Sequence, residues 1–500
     1  MLFGERNGVE IVMTEDDKAC PSGAPPTGLL WAPDGVRPVL GAYIVVLTRA
    51  EWDRHRRSNA DGGTAERLAA AERRAWDVAR AVLREHHIPE SALVHVYAHA
   101  LLGFEARLSA RAAEDLAEDP RVRYVERSSV AEPDDVVSET PENWGLDRTD
   151  QRSLPLDRTF NRPPSGDTLV IAYVVDTRIR TTHREFGGRA VVAWDHMTPT
   201  PDPGGPVCHG HGTKVAGVFA GATHGFADRA SIKNVVIEIS CANSNTNSTI
   251  QVRAIDWVTR DAQIEEAPSV ANMSYGSTSP AVREAIRGSV ESGVVWTLSA
   301  GNTDEDACNR PTAGLLVAAS TRYDARASFS NWGPCVDLFA PGAGCTSASS
   351  TSDTASVGFD GTSCAAPHVA GVAAVYRSHR PQASAQQVMD LVIEATTRGV
   401  VSGVKGSPNR LLYLDATAFG PEPEPDPWPG VPEYAPGVQY HAGDRVKADL
   451  DPNNPSAGKG LYEAVWSIRD LHPSTGGWGG WRRIAPYRLP PRHAGHAVQS

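Results

Sequence analysis

The chain has 500 residues, more than one ordinary domain needs, so two to four domains are expected. Its formal net charge of −12 argues against a nucleic acid partner, and it contains no apolar run long enough to span a bilayer. None of the seven cysteines forms a C-x-x-C pair, which argues against a structural zinc site, and the odd number leaves at least one thiol unpaired within the chain.

Residues 1–38 are rich in glycine and proline and are predicted to form a flexible tail. They hold no basic stretch followed by an apolar core, so no ordinary secretory signal is readable. Three explanations stay open: a misassigned start codon, export by another route, or a protein that stays inside the cell.

Residues 39–131 have the pattern of a small α+β domain. Periodicity predicts two helices, around 68–82 and over 109–118, and four strands, over 42–47, 93–97, 102–108 and 122–126. Their order, β-α-β-β-α-β, is ferredoxin-like and by itself says nothing about function. An acidic stretch with proline, 131–143, is predicted to be a linker.

Residues 137–420 are predicted to form an α/β domain with a mostly parallel sheet and helices on both faces. The apolar runs Leu169–Val175 and Val294–Ser299 are typical of strands covered on both sides. Helices are predicted to begin near His211, Thr249, Pro280 and Ser363. Sites in such sheets gather at the carboxyl ends of the strands.

The last part of the chain changes character. Residues 421–427 alternate proline with acidic residues and are predicted to be a stiff extended linker. Residues 428–487 hold many tyrosines and tryptophans but little aliphatic matter, which indicates a small β-rich module.

Three residues in the α/β domain have the chemistry of a nucleophilic triad. Asp176 ends an apolar strand, His211 follows a glycine-rich turn, and Ser363 opens a helix of small residues. A serine at a helix start can be an N-cap and nothing more. A serine nucleophile, however, needs a histidine base within reach and an aspartate to orient that base, and Asp, His, Ser is one of the known chain orders.

The segments Tyr173–Arg189, His211–Gly217 and Gly361–Gly371 resemble those of subtilisin-like serine proteases, nearest to the proteinase K and aqualysin branch. The resemblance implies a serine endopeptidase that acts through an acyl-enzyme and needs no cofactor for its chemistry. It implies that Asn302, in Ser299-Ala-Gly-Asn302, is an oxyanion-hole donor, although an ordinary Gly-Asn turn is the alternative.

The same resemblance assigns further residues. It places Ser274, Tyr275 and Gly276 on one wall of the primary specificity pocket of the substrate cleft, where their backbone would pair with the substrate, with the polar segment 243–247 as a poorer match to the opposite wall. It implies disulfides between Cys208 and Cys241 and between Cys308 and Cys335 and leaves Cys345 and Cys364 as free thiols.

The sequence departs from the family pattern in three places. Arg178 stands where a glycine is usual, and Lys214 where a second histidine is usual. The segment 309–317 is shorter than in relatives, so structural calcium at Asp337 is in doubt and metal ligands are unknown. His209 and His211 are disfavoured as a metal pair because no carboxylate partner is evident.

Residues 39–131 resemble the inhibitory propeptide of these proteases, with cleavage expected at about 128–139. The C-terminal module resembles small chitin- or cellulose-binding modules, with Trp428, Tyr462 and Trp481 as candidate sugar-stacking residues; the alternative is that these aromatics form the module's own core.

The sequence therefore predicts a secreted, monomeric, self-processing zymogen. Its expected partners are polypeptide substrates, its own propeptide and a polysaccharide, with no nucleic acid or membrane. The rival hypothesis is a catalytically decayed binding protein, for which Arg178 and Lys214 would be marks of decay.

Overall fold

The structure is a computed structural model. It describes residues 28–30, 37–51, 63–132, 144–163, 166, 168–198, 205–309 and 313–415, and the backbone of 445–449, 459–464 and 481–486. The chain divides into two units, Met1–Phe419 and Gly420–Ser500. The linker predicted over 131–143 is wrong at Ala131, which ends a strand paired along its length with other segments; residues 133–143 and the predicted linker 421–427 lie outside the described residues.

The N-terminal part of the first unit is a mixed sheet with helices. Its strands are β1 (Gly28–Leu30), β2 (Pro38–Leu47), β3 (Leu93–Tyr97), β4 (Gly103–Arg107) and β5 (Val122–Ala131), in the spatial order β1-β5-β2-β4-β3. Its helices are α1 (Thr64–Glu85) and α2 (Ala110–Ala117). The predicted β-α-β-β-α-β order corresponds to β2 through β5.

The prediction of a flexible tail over 1–38 is wrong at 28–30 and at residue 38. Gly28–Leu30 form β1, which pairs in parallel with Tyr124–Glu126 of β5, and Pro38 already belongs to β2. The reason is tertiary: the edge of β5 offers unpaired backbone groups, and a short segment satisfies them despite its weak local propensity.

The remainder of the first unit is built on a nine-stranded sheet in the order β16-β17-β13-β12-β11-β10-β6-β8-β7. All pairs are parallel except β16 with β17. The strands are β6 (Ile171–Asp176), β7 (Ala190–Asp195), β8 (Ser231–Val236), β10 (Ser269–Met273), β11 (Val294–Ser299), β12 (Leu315–Ser320), β13 (Leu338–Pro341), β16 (Thr397–Arg398) and β17 (Arg410–Leu411). Three further strands are β9 (Thr246–Asn247), which pairs with β5, and the hairpin β14 (Cys345–Ala348) and β15 (Ser356–Phe359).

Helices cover both faces of this sheet. They are α3 (Trp144–Thr149), α4 (His211–Ala220), α5 (Ser248–Glu265), α6 (Pro280–Glu291), α7 (Thr362–His379) and α8 (Ala385–Ala395). Strand β6 shows why the sheet strands are apolar throughout: Ala172 and Val174 enter one core, whereas Ile171, Tyr173 and Val175 enter the other. The predicted α/β fold with helices on both faces is confirmed.

The second unit contains a three-stranded antiparallel sheet of β18 (Arg445–Asp449), β19 (Lys459–Ala464) and β20 (Trp481–Pro486). The backbone thus agrees with a β-rich module. Among the described residues of the whole chain, no helix combines the length and the apolar character that a membrane crossing requires.

Candidate active site

Asp176 and His211 meet at the carboxyl edge of the sheet. Asp176 is the last residue of β6 and His211 the first of α4, and His211 Nδ1 lies 2.6 Å from Asp176 Oδ1. Both side chains are buried, and Thr177 N also donates to Asp176 Oδ1, at 2.7 Å. A Cβ on Gly212 would lie 2.2 Å from Thr177 O, so only glycine lets α4 begin this close to the aspartate turn.

Ser363 is the second residue of α7, not its cap. The N-cap is Gly361, whose φ of 123° suits only glycine, so the alternative that Ser363 is merely an N-cap is wrong. Ser363 Oγ donates instead to Ser274 O at 3.3 Å, and the side chain is fully buried. The serine hydroxyl is therefore held against the segment that follows β10.

Pro367 explains a second contact of the same serine. Proline is best tolerated in the first turn of a helix, but Pro367 lies inside α7, four residues after Ser363. Because proline has no N–H, it cannot pair with Ser363 O, which accepts the Ser274 hydroxyl at 3.2 Å instead. The proline thus leaves a carbonyl available to tie α7 to the segment after β10.

The imidazole of His211 contacts that same segment. The ring of Tyr275 meets it edge-on at a centroid distance of 5.8 Å, and the ring of Phe359 does so at 6.0 Å. Asp176 and His211 on one side and Ser363 on the other therefore converge on Ser274–Tyr275.

Asn302 lies just after β11 and is oriented by Thr362. Its Oδ1 accepts hydrogen bonds from the backbone N–H and the hydroxyl of Thr362, both at 2.9 Å. Its Nδ2 is buried and has no hydrogen-bond partner among the described residues. The Asn302 amide N–H is thus left for a group that the described chain does not supply, as an oxyanion donor requires.

Thr362 orients a predicted site residue, and the sequence analysis did not single it out. Its Oγ1 also accepts from Gly301 N at 3.0 Å, so one hydroxyl fixes the Asn302 turn. Its position directly before the serine in Gly-Thr-Ser was the available signal.

The predicted cleft walls are joined by Tyr275. Its hydroxyl donates to Ser244 O at 2.8 Å, which ties 274–276 to the segment 243–247. The end of β5 follows that second segment: Val130 and Ala131 pair with β9, and Asn245 Nδ2 donates to Glu132 Oε1 at 3.2 Å. An extended peptide therefore lies along this wall, which is how a substrate adds a strand to a sheet edge.

Two carboxylates bind the N-terminal domain to the rest of the unit. Asp256 of α5 accepts backbone N–H groups from Ala98, His99 and Ala100, at 3.3, 2.7 and 2.7 Å. Glu126 of β5 accepts the N–H of Ala281, at the N-terminus of α6, at 2.7 Å. Burial raises the pKa of Glu126 to about 7 although Ser279, Ala281 and Arg283 oppose the shift.

Two of the three departures from the family pattern, Arg178 and Lys214, lie in the described part of the chain and leave the Asp176–His211 contact in place. Arg178 is buried, and its Nη2 lies 2.5 Å from Asp195 Oδ2. Lys214 places Nζ 4.9 Å from the centre of the Phe359 ring, the ring that touches His211.

The cysteines pair as the resemblance implied. Disulfides join Cys208 to Cys241 and Cys308 to Cys335, with Cα–Cα distances of 5.0 and 5.1 Å, and Cys345 and Cys364 are buried thiols outside these two disulfides.

Among the described residues, Asp337, the suggested calcium position, has no cluster of further ligands around it. Asp337 Oδ2 accepts Leu316 N–H at 2.7 Å, and burial raises the Asp337 pKa to about 6. No cluster of three His, Cys, Asp or Glu side chains suited to a metal occurs among the described residues, and 310–312 lie outside them. Calcium at Asp337 stays a prediction.

Comparison with known proteins decides the family. Residues 166–411 match the model of the subtilase family, and residues 42–134 match that of the I9 peptidase inhibitors. The chain is 42% identical over 326 residues to the extracellular serine proteinase of Thermus sp. (strain Rt41A), covering 64% of this chain and 77% of that one. The chain belongs to the subtilase family. It is a subtilisin-like serine protease that carries its own inhibitor domain, and nothing in the comparisons supports the decayed alternative.

Two more relatives agree. The alkaline serine exoprotease A of Vibrio alginolyticus is 42% identical over 347 residues, which are 66% of this chain but only 63% of that one. The crystal structure of a cold adapted subtilisin-like serine proteinase is 41% identical, with a TM-score of 0.50, and covers 55% of this chain and 99% of its own. Fervidolysin from Fervidobacterium pennivorans, 20% identical with a TM-score of 0.57 over 83% of this chain and 65% of its own, supports the fold alone.

Proposed function

We propose that this subtilase is an active serine endopeptidase in which Ser363 is the nucleophile, His211 the general base and Asp176 its partner. The observation that carries the proposal is the buried 2.6 Å contact between His211 Nδ1 and Asp176 Oδ1, with Ser363 held on the segment that His211 also touches. The Asp176 carboxylate fixes the imidazole tautomer and stabilises the imidazolium that forms when the serine attacks.

The peptide-bond step follows from the same residues. Ser363 Oγ bonds to the carbonyl carbon while His211 takes its proton, and the Asn302 amide donates to the oxyanion. His211 then returns the proton to the leaving amine, which gives an acyl-enzyme that water hydrolyses.

A fluorophosphonate probe tests this assignment directly, because it reacts with an activated serine. We expect the processed enzyme to be labelled at Ser363, as mapped by mass spectrometry of its peptides. If no residue were labelled, or if a serine other than Ser363 were labelled, the assignment would be refuted. His211→Ala should abolish labelling, whereas Ser378→Ala at the far end of α7 should leave it unchanged.

The enzyme is further proposed to cut its own precursor. Residues through Glu132 are held along the 243–247 wall, whereas Trp144 is buried in the core beside the sheet and donates to Ala343 O at 3.0 Å. The cut therefore falls after Glu132 and before Trp144, which keeps only the later part of the predicted window 128–139. N-terminal sequencing of the mature enzyme tests this; a start at or before residue 132 would contradict it.

Propeptide binding is expected to depend on Glu126. In the complex the Glu126 pKa is about 7, above its ordinary value of 4.5, so binding takes up a proton and tightens as pH falls through 7. Replacement by glutamine keeps an acceptor for Ala281 N but removes the titration. Desolvation lowers the pKa of the half-buried His95 to about 4, which opposes this trend at lower pH.

Comparison of the variants isolates the contribution of Glu126 to the pH dependence of propeptide binding. The inhibition constant Ki of the added propeptide is measured at pH 6 and pH 8, each against uninhibited activity. We expect the ratio of Ki at pH 8 to Ki at pH 6 to be about tenfold smaller for Glu126→Gln than for wild type. The exposed Glu118→Gln serves as the control, and equal ratios in all three would contradict the prediction.

Lys214 is expected to shift the pH profile of catalysis. Its ammonium lies on the Phe359 ring beside His211 and disfavours the imidazolium. Lys214→Gln should therefore move the acid limb of kcat/KM to higher pH by about 0.3 unit at low salt. Lys405, whose Nζ lies 5.3 Å from the centre of the Trp332 ring, offers a matched control. Superimposed acid limbs for wild type and Lys214→Gln would mean that the lysine is neutral.

Three wider assignments are part of the proposal. The two disulfides at the positions implied by the resemblance support the proteinase K and aqualysin branch. The disulfides also favour a secreted enzyme. Calcium near Asp337 is tested by whether a chelator lowers the Tm of the purified enzyme and Asp337→Asn removes that effect.

The C-terminal module is proposed to bind chitin or cellulose. Tyr462 and Trp481 lie on the neighbouring strands β19 and β20, two register positions apart, whereas Trp428 lies outside the described residues. Deletion of 428–500 should leave hydrolysis of a short soluble peptide unchanged but reduce retention on both polysaccharides. Equal retention of both forms would leave the aromatics as the module's own core.

A further inference from the structure

The two turns that carry Asp176 and His211 share a buried carboxylate. Strand β8 pairs with β6 up to Val236 opposite Asp176, and Glu238 follows two residues later, with 1% of its surface exposed. Ile237 N donates to Asp176 O at 3.0 Å, so the backbone that carries Glu238 is fixed against the catalytic strand.

One carboxylate oxygen of Glu238 contacts the turn after Asp176. Its Oε1 accepts the backbone N–H of Arg178 at 3.2 Å, while the Arg178 guanidinium bonds to Asp195. Together with the Thr177 N–H on Asp176 Oδ1, this directs two consecutive backbone donors to carboxylates and defines the conformation of the turn.

The other oxygen faces the turn before His211. Glu238 Oε2 lies 3.9 Å from His209 Nε2, and both atoms are buried without a hydrogen-bond partner among the described residues. At this distance the carboxylate oxygen and the imidazole nitrogen face each other without a direct hydrogen bond. The Cys208–Cys241 disulfide closes the same loop, because its cysteines stand next to His209 and three residues after Glu238.

We propose that Glu238 is a positioning residue for catalysis: one buried carboxylate holds the Asp176 turn through Arg178 N and the His211 turn through His209. The inference rests on the proposed function, because it assigns Glu238 a role through the triad and not in contact with substrate. The ionisable groups around it are Asp176, Arg178, Asp195, His196, whose Nε2 is 2.5 Å from Glu238 O, and His209.

A purely structural role predicts a different outcome from a positioning role. A buried carboxylate with an unsatisfied oxygen costs desolvation free energy, and an apolar replacement of similar size is often neutral or stabilising. Misplacement of a catalytic group by about 1 Å, in contrast, can cost about 10²-fold in rate. Activity and stability should therefore separate at this residue.

The experiment compares Glu238→Met, which loses both contacts, with Glu238→Gln, which keeps an acceptor for Arg178 N. Glu185 provides matched controls, since it is also a buried carboxylate, with His224 Nε2 4.0 Å from its Oε1 and Thr223 N–H bonded to its Oε2. It lies against the other end of the ten-residue helix α4, about 15 Å from His211 along the axis. The readouts are kcat and KM on a short chromogenic peptide, the rate of fluorophosphonate labelling, and Tm.

We expect kcat to fall about 30-fold in Glu238→Met and about fivefold in Glu238→Gln, with KM within about twofold and labelling slowed in proportion. Glu185→Met and Glu185→Gln should keep kcat within about twofold. The proposal is overturned if the Glu238 variants lose no more kcat than their Glu185 counterparts, or if only KM changes. If Glu238→Met does not fold, the glutamine variant decides by the same criterion. An unlabelled wild-type enzyme would instead refute the proposed function and this inference with it.

Discussion

Ser363→Ala is expected to accumulate as an uncut precursor of 53.4 kDa, with peptide hydrolysis reduced by roughly 10⁶-fold, the loss measured for the nucleophile of a subtilisin. The physical reason is that the propeptide tail lies along the same wall as a substrate, so that self-cleavage needs the same nucleophile. Electrophoresis of the purified protein and a peptide assay measure both effects.

The control for this substitution is the neighbouring thiol. Cys364→Ala removes a buried sulfur of the same helix but leaves Ser363 Oγ, and it should be processed normally. Purified Ser363→Ala that is still cut after Glu132, with no other protease present, would show that processing does not use the proposed nucleophile. Addition of trace wild-type enzyme then tests whether cutting occurs between molecules.

The sheet was predictable because its signal is local. Strand β11 was predicted over Val294–Ser299 and has those bounds, since a strand buried on both faces must be apolar at every position. The starts of α4 and α6, expected near His211 and Pro280, were also predicted correctly; proline suits the first helical position because it needs no N–H partner there.

The remainder depends on partners distant in the chain. Nothing near residue 28 predicts that Gly28–Leu30 would pair with β5. Likewise, Glu126 is an unremarkable strand residue in sequence, and its raised pKa arises from burial against α6. The site was predictable in its residues through the family resemblance, but the bonds that orient those residues were not.

The hydrogen bonds of Thr362, which the sequence could not predict, determine which group of Asn302 is available to the substrate. Its hydroxyl and N–H both donate to Asn302 Oδ1, which leaves the amide N–H of Asn302 as the buried donor. An aspartate in place of Asn302 keeps the oxygen that accepts from Thr362, but it presents a second oxygen, and no N–H donor, where the oxyanion forms. Since the donor acts only in the transition state, its loss should lower kcat and not raise KM.

Asn302→Asp is therefore expected to lower kcat by about 10³-fold or more, and Asn302→Ala by about 10²–10³-fold, with KM within about threefold in both. Thr362→Val keeps the backbone donor to Asn302 Oδ1 but removes the hydroxyl, so it should cost about tenfold in kcat because the amide is less well oriented. Steady-state kinetics on one peptide, with Tm for each variant, separate these effects from loss of fold. If Asn302→Asp raised KM while kcat stayed unchanged, Asn302 would bind the ground state and would not be the oxyanion donor.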